Sequence, residues 1–273
     1  MTFREAIKML GDAQIESPRS EMAYMLFEIC GIDASRLPLM YDEQIERNDL
    51  LDAIKRRCDA TPLQYILGKC EFFGLEFSVT PDCLCPRPDT EISVETALSL
   101  LPENAEFLEL CTGSGCISVS LCKTRGDISG IATDKFEKTL GVAKKNAEAH
   151  GVTDRLTLVC ADLFDEPEYI DGKGFNAIVS NPPYIPTRDI ENLSADVKKE
   201  PIAALDGGED GLDFYRHIVS EYAKYLKEDG MFIFEIGYNQ GDALCKIAHA
   251  NGFSCEIVKD LEKNDRVTVL RRI

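Results

Sequence analysis

The spacing of apolar residues changes character three times along the chain. Over residues 1–70 it follows a helical period: Phe3, Ile7 and Leu10, then Met22, Met25, Leu26 and Ile29 after Ser20, which is placed to cap that helix, then Leu50, Leu51 and Ile54. Thr61-Pro62 predicts a cap followed by proline at the first helical position, opening a short turn through Leu63-Gln64-Tyr65-Ile66. The methionine-rich face reads as core, and a small helical bundle without catalytic side chains reads as a recognition domain. From Lys69 to Pro88 the residues turn to β-formers, with Phe72, Phe73, Leu75, Phe77 and Val79 interrupted by Gly74, which predicts a β-hairpin. Cys85-Pro86-Arg87-Pro88-Asp89-Thr90-Glu91 then makes a stiff link that caps a helix running to about Leu101. The organisation expected is a helical domain over 1–70, a hairpin and linker over 71–90, and a larger domain over 91–273.

Beyond residue 100 short apolar runs alternate with helical patterns, the signature of an α/β fold built on a parallel, Rossmann-like sheet. Strand-like runs lie at 106–111, 128–133, 156–160, 175–180, 231–236, 253–258 and 266–270. Helical patterns lie at 136–150 and 212–227. The last two runs are too close for a crossover helix, so they are expected to pair antiparallel.

Candidate chemistry collects at the carboxyl ends of these strands, where open α/β sheets bind their ligands. The first strand runs into Glu109-Leu110-Cys111-Thr112-Gly113-Ser114-Gly115, and a helix follows at once. Gly113 and Gly115 permit a tight turn that brings backbone amides to a ligand at the helix N-terminus. The spacing is not that of a phosphate-binding loop, which needs Gly-Lys-Ser/Thr. Asp134 closes the next strand about twenty residues on, where an acid accepts hydrogen bonds from ribose hydroxyls; the alternative is a helix cap. Asp162 follows the third strand, and Leu163 and Phe164 offer an apolar wall for a purine. The fourth strand stops at Ser180-Asn181-Pro182-Pro183-Tyr184, where two prolines stiffen the backbone beside a carboxamide that both donates and accepts. An adenosine-containing cofactor fits these successive strand ends, with Asn181 beside it.

Charge narrows the partners. Thirty basic residues against 48 acidic give −18, with a pI of about 4.6. Grip on nucleic acid along its phosphates needs a basic surface, so direct nucleic-acid binding is not expected. No apolar run approaches the length of a membrane span, and the first thirty residues carry charges throughout, so a cytoplasmic protein without anchor or signal peptide is expected. The 11 cysteines lack compact secreted spacing, and with 3 histidines they form no zinc pattern. They are expected to be reduced and to pack, with no metal bound. No spare apolar helix face stands out, which favours a monomer.

Together Glu109 to Gly115, Asp134, Asp162 and Asn181-Pro182-Pro183-Tyr184 resemble the successive motifs of class I S-adenosylmethionine-dependent methyltransferases, whose sheet has seven strands. The Asn-Pro-Pro-Tyr tetrapeptide is similar to that of enzymes methylating planar amide or amino nitrogens. Pro62-Leu63-Gln64-Tyr65-Ile66-Leu67-Gly68, Pro86-Arg87-Pro88-Asp89-Thr90-Glu91, Glu200-Pro201, Phe234-Glu235-Ile236-Gly237 and Asn264-Asp265-Arg266-Val267 extend the resemblance over nearly the whole chain, to the peptide-chain release factor glutamine methyltransferases of the PrmC/HemK family.

The resemblance implies S-adenosyl-L-methionine as cofactor, contacted by Cys111, Thr112, Gly113, Ser114, Gly115, Asp134, Asp162, Leu163 and Asn181. It implies a substrate glutamine, in the Gly-Gly-Gln loop of bacterial class I release factors, held by Asn181, Pro182, Pro183 and Tyr184. Asn181, Pro182 and Tyr184 are the implied catalytic set, and the helical domain would grip the release factor. The family usually has glycine where this chain has Cys111, a position expected to be extended and so to tolerate the side chain. Alternatives are methylation of another protein glutamine, of an adenine N(6), a non-catalytic adenosine-binding scaffold and, least, a nicotinamide dehydrogenase, which would need a third glycine in the loop.

Overall fold

A computed structural model describes residues 1–170 and 172–273. Four helices open the chain: α1 (Phe3–Asp12), α2 (Pro18–Cys30), α3 (Asn48–Cys58) and α4 (Leu63–Leu67). Thr2 and Glu5 form a reciprocal capping box at the start of α1. The apolar stripes of the first three helices meet in one core that includes Phe3, Leu10, Met22, Met25, Leu26, Leu50 and Ile54. Two starts differ from expectation by a few residues. Ser17 occupies the N-cap of α2 with Pro18 at the first position, so Ser20 lies inside the first turn. Pro62 rather than Thr61 precedes α4, because its ψ of 135° is that of a residue not yet helical.

Strands β1 (Lys69–Phe72) and β2 (Leu75–Ser78) form the expected antiparallel hairpin. Its two-residue turn places Phe73 at φ 53° and Gly74 at φ 69°, the pair of positive values that matches the twist of the flanking strands. The Phe73 N–H donates to Glu91 Oε1 at 2.7 Å, which ties the turn to the first residue of α5 (Glu91–Leu100).

All seven expected strands of the larger unit form: β3 (Glu106–Leu110), β4 (Ser129–Asp134), β5 (Leu156–Cys160), β6 (Phe175–Ser180), β7 (Leu226–Glu235), β8 (Phe253–Lys259) and β9 (Asp265–Arg272). They make one sheet in the order β5-β4-β3-β6-β7-β9-β8. The first five are parallel, and β9 runs antiparallel to both β7 and β8, as the short connection requires. The two faces carry separate apolar clusters. One joins α5, α6 (Cys116–Thr124) and α7 (Glu137–His150) to the sheet; the other joins α8 (Asp213–Glu221) and α9 (Gly241–Ala250). From β3 the chain winds outward through β4 and β5, then returns to β6 on the other side of β3, so the order reverses between β3 and β6. That reversal opens a crevice at the strands' carboxyl ends.

Two expectations fail here. The helix expected over 212–227 stops at Glu221; a 3-10 turn (Ala223–Tyr225) follows and Leu226 already enters β7. Tyr222 and Tyr225 are buried against the sheet, and that burial outweighs the helical spacing. The cysteines are not all free: Cys245 of α9 and Cys255 of β8 are joined by a disulfide, with Cα atoms 5.2 Å apart. The turn at Asn251 and Gly252 folds the helix back along the strand that follows it, bringing the two thiols within bridging reach. Among the described residues no helix is long and apolar enough to cross a membrane.

Candidate active site

A cavity of about 460 Å³ lies over the carboxyl ends of β3, β4 and β6. Of the residues singled out from sequence, Cys111, Thr112, Gly113, Ser114, Asp134, Asp162, Leu163, Asn181 and Pro183 line it. Gly115 lies behind it. There its positive φ of 79° and the 3.2 Å that would separate an added Cβ from the Ala143 Cβ let α6 approach α7. Pro182 and Tyr184 also stand outside the lining.

The loop after β3 is held from several directions. Glu109, almost completely buried, accepts from the Thr112 hydroxyl at 2.6 Å and from the Ser118 N–H at 3.1 Å, tying the loop to the first turn of α6. Burial pushes its carboxyl up to about 7, against the pull of those two donors. The Gly113 N–H donates to Asp134 Oδ2 at 3.0 Å, and Asp134 Oδ1 accepts from the Phe136 N–H at 3.1 Å, at the start of α7. Asp134 therefore closes a turn just ahead of α7, whose N-cap is Phe136 with no side-chain cap bond, and anchors the glycine loop at once. Burial raises its carboxyl as well. Each carboxylate oxygen has two lone pairs, so one on each remains for a ligand hydroxyl.

Cys111 overturns the expectation of an extended backbone: its φ is 58°. The Ser180 hydroxyl donates to the Leu110 carbonyl at 2.7 Å and the Thr112 N–H to the Thr133 carbonyl at 2.8 Å, so the residues on either side of Cys111 are fixed and its left-handed conformation is imposed. For a residue with a Cβ this costs on the order of 1 kcal/mol, which explains why glycine suits the position better. Burial pushes the Cys111 thiol well above its ordinary range, so it stays neutral.

Asn181 enters the cavity from the end of β6, and its Nδ2 donates to the Thr90 hydroxyl at 3.3 Å. Tyr184 turns toward the sheet: its carbonyl accepts from Gln240 Nε2 at 2.9 Å, and burial raises its phenol beside Glu235, Arg266 and Arg87. Asp162 holds Lys135 at 2.7 Å and accepts from the Phe164 N–H; with Lys135 it stays below the usual carboxylate range despite partial burial. Leu163 is buried at the wall and Phe164 is half exposed at the rim.

The long segment between Tyr184 and α8 divides. Residues 201–204 and Asp206 close one side of the cavity, whereas 188–195 do not reach it. This wall is pinned by Glu200, whose buried carboxylate accepts from the Cys85 N–H at 2.9 Å and pairs with Arg87. Arg87 and Thr90 line the cavity; Glu91 serves the hairpin turn. The sequence reading missed Asn146 altogether: its amide donates to the carbonyls of Ser114 and Ser78 and accepts from the Ser78 N–H, lacing hairpin to glycine loop. Its only signal is a polar residue in the middle of the apolar face of α7.

Comparison with known proteins agrees with this geometry. The family model described as the PrmC N-terminal domain matches residues 2–68, and that of the methyltransferase small domain matches residues 91–208. A release factor glutamine methyltransferase of Geobacter sulfurreducens is 40% identical over 263 residues, spanning 94% of this chain and 91% of its own. One of Aquifex aeolicus is 36% identical over 259 residues, spanning 93% and 91%. A solved methyltransferase from Pyrococcus furiosus, 18% identical, shares the fold with a TM-score of 0.56 over 74% of this chain and 90% of that one. With identity at this level along almost its full length, the chain belongs to the release factor glutamine methyltransferase family.

Proposed function

We propose that the chain transfers a methyl group from S-adenosyl-L-methionine to the side-chain amide nitrogen of the glutamine in the Gly-Gly-Gln loop of class I peptide-chain release factors. The observation that carries this is Asn181: it lies at the switch point of the sheet, inside the cavity, with its N–H end engaged by Thr90 and its Oδ1 left for a substrate.

The cavity suits the cofactor. Its volume lies within the roughly 300–1,000 Å³ of small-ligand sites. Gly113, at φ 58°, has nothing within 4 Å of an added Cβ, so the loop leaves room for a ligand beside it, while its own N–H is held by Asp134. Asp134 keeps lone pairs for ribose hydroxyls, and Leu163 with Phe164 supplies an apolar wall for the purine. Cys111, Thr112, Ser114 and Asp162 complete the set of contacts we assign. When bound, S-adenosyl-L-methionine supplies an electrophilic methyl group on a sulfonium.

The residues of this chain have the harder task, because a carboxamide nitrogen is a poor nucleophile: its lone pair is delocalised into the carbonyl. We assign Asn181 Oδ1 and the Pro182 carbonyl as acceptors for its two N–H bonds. They orient the lone pair out of the amide plane, toward the incoming methyl, and favour the positive charge that grows on nitrogen as it becomes tetrahedral; the methylated nitrogen then gives up one of its two protons to solvent and returns to a neutral, planar amide. The prolines hold that carbonyl rigid, Pro183 flanks the planar amide, and Tyr184, packed against the sheet, supports the prolines from behind. The helices of residues 1–70 grip the release factor. Asn181→Ala removes one preorganised acceptor, so kcat falls by about 10²–10³ while cofactor affinity, measured by calorimetry, stays within a factor of about two. An equal loss of cofactor affinity would refute the role of Asn181.

A further inference from the structure

We propose that Gln240 is a positioning residue for this reaction: its buried carboxamide clasps both ends of the segment between Tyr184 and Gly211, and so holds the backbone of Asn181-Pro182-Pro183-Tyr184 and the cavity wall beyond it as one unit. The inference rests on the roles given to Asn181 and Pro182 above. Gln240 itself does not line the cavity.

Gln240 follows the carboxyl end of β7 and occupies the N-cap of α9, yet its side chain makes no capping bond to that helix. It is 7% exposed. Its Oε1 accepts from the Gly237 N–H at 2.9 Å. Its Nε2 donates to the Tyr184 carbonyl at 2.9 Å and to the Gly211 carbonyl at 3.1 Å. A carboxamide nitrogen carries two protons, and both are spent. One N–H on one side and two carbonyls on the other leave the group a single orientation. Tyr184 opens the long segment after β6, and Gly211 closes it just before α8. One amide group therefore ties that segment shut at its base.

Within the segment the Ile185 N–H donates to the Leu205 carbonyl at 2.9 Å, and the Gly207 N–H donates to the Ile185 carbonyl at 2.9 Å. These bonds join the residue after Tyr184 to the wall made by residues 201–204 and Asp206. The contact is close: a Cβ added at Gly207 would lie 2.7 Å from the Pro183 carbonyl oxygen and 2.7 Å from the Tyr184 Cα. The consequence falls on Pro182. Two proline rings fix φ at residues 182 and 183. Before them the Ser180 hydroxyl is bonded to the Leu110 carbonyl at 2.7 Å, and after them Gln240 holds Tyr184. With both ends anchored and two of the rotations between them locked, the Pro182 carbonyl keeps the direction in which it accepts the substrate N–H. An apolar side chain at position 240 strands the Tyr184 and Gly211 carbonyls without their donor, and the motif is then free to move against the wall.

The test uses the full chain and a class I release factor as methyl acceptor, with Gln240→Met, Gln240→Glu and Asn181→Ala, at temperatures where urea titration shows each variant folded. Expected for Gln240→Met is a fall in kcat of about 10- to 100-fold, with cofactor affinity by calorimetry within a factor of about two of wild type. Gln240→Glu sets an ionised carboxylate, which only accepts, against the two carbonyls, and at pH 8.5 it is at least as impaired. Once protonated it donates to one of them, so its kcat relative to wild type rises by at least about three-fold on going to pH 6, while the same ratio for Gln240→Met stays flat. The charged groups on the surrounding elements are common to all these proteins and cancel in the ratio. Asp210 beside Gly211 pairs with Arg216, Asp265 against Gly241 pairs with Lys259, Asp242 lies in the first turn of α9, and burial keeps the Tyr184 phenol neutral. Wild-type rates in both Gln240 variants, with Asn181→Ala inactive, overturn the clasp alone. An Asn181→Ala enzyme at wild-type rate overturns the reading beneath it. Cofactor affinity that falls in step with kcat, or a Gln240→Glu ratio that does not change with pH, refutes the positioning role. If Gln240→Met does not fold, Gln240→Glu at the two pH values decides the matter.

Discussion

Glu109→Gln should stabilise the ligand-free protein in a pH-dependent way. In the fold the Glu109 carboxyl is pushed up to about 7, from an ordinary value of 4.5, chiefly by burial. A carboxyl raised on folding binds its proton more tightly in the native than in the unfolded chain. Its contribution to stability is therefore fully present below pH 4.5 and is lost as the pH rises through 7. At 1.36 kcal/mol per unit, the gap corresponds to about 3 kcal/mol above pH 7, of which about 1 kcal/mol is already present near pH 5.5. Glutamine is uncharged at every pH and, since the Thr112 and Ser118 donors converge on a single oxygen, its carbonyl can keep both bonds. The advantage of Glu109→Gln over wild type should accordingly widen by about 2 kcal/mol between pH 5.5 and 8.5. Urea denaturation at the two pH values, without cofactor, measures it. Glu235 shifts in the same direction, so the variant retains part of the wild-type slope. A difference between the two proteins that is the same at both pH values would refute the burial argument.

Asp134→Ala frees the Gly113 and Phe136 N–H groups that fix the loops after β3 and β4, so cofactor affinity by calorimetry should fall by at least about ten-fold, equivalent to about 1.4 kcal/mol, with kcat at saturating cofactor largely kept. Unchanged affinity would remove Asp134 from the cofactor site. Gly211→Ala should destabilise by about 2 kcal/mol and slow turnover: Gly211 is at φ 77°, and an added Cβ would collide with the Tyr184 carbonyl and lie 2.8 Å from Gln240 Nε2. Urea midpoints and kcat equal to wild type would show that the Tyr184 backbone is not held there.

Much of this site is visible in the sequence because its signals are local. A run of β-formers halted by two prolines marks the end of β6, and an acid closing β4 marks the place of Asp134. The five parallel strands are equally plain, since each strand buried on both faces needs its own apolar run, and the short link between the last two announces their antiparallel pairing. What escapes is what depends on distant partners. Nothing near Cys111 tells of a positive φ imposed by Ser180, seventy residues on. Thr90 meets Asn181 only because the linker before α5 crosses the end of β6, ninety-one residues on. The helix that was expected to reach residue 227 obeys the helical period, but the buried Tyr222 and Tyr225 draw the chain into the sheet early. Cys245 and Cys255 lie ten residues apart in no recognisable motif, and only the fold of α9 onto β8 brings them together.

The central claim is tested most directly by incubating the protein with deuterium-labelled S-adenosylmethionine and a purified class I release factor, then mapping the label by tandem mass spectrometry. The account predicts one labelled methyl group, on the side-chain nitrogen of the Gly-Gly-Gln glutamine. It predicts no label when that glutamine is replaced, and none above background with Asn181→Ala. Label on another residue of the release factor, or none on it while ribosomal proteins or adenine-containing oligonucleotides are labelled, would contradict the substrate assignment and leave the fold and the cofactor site standing.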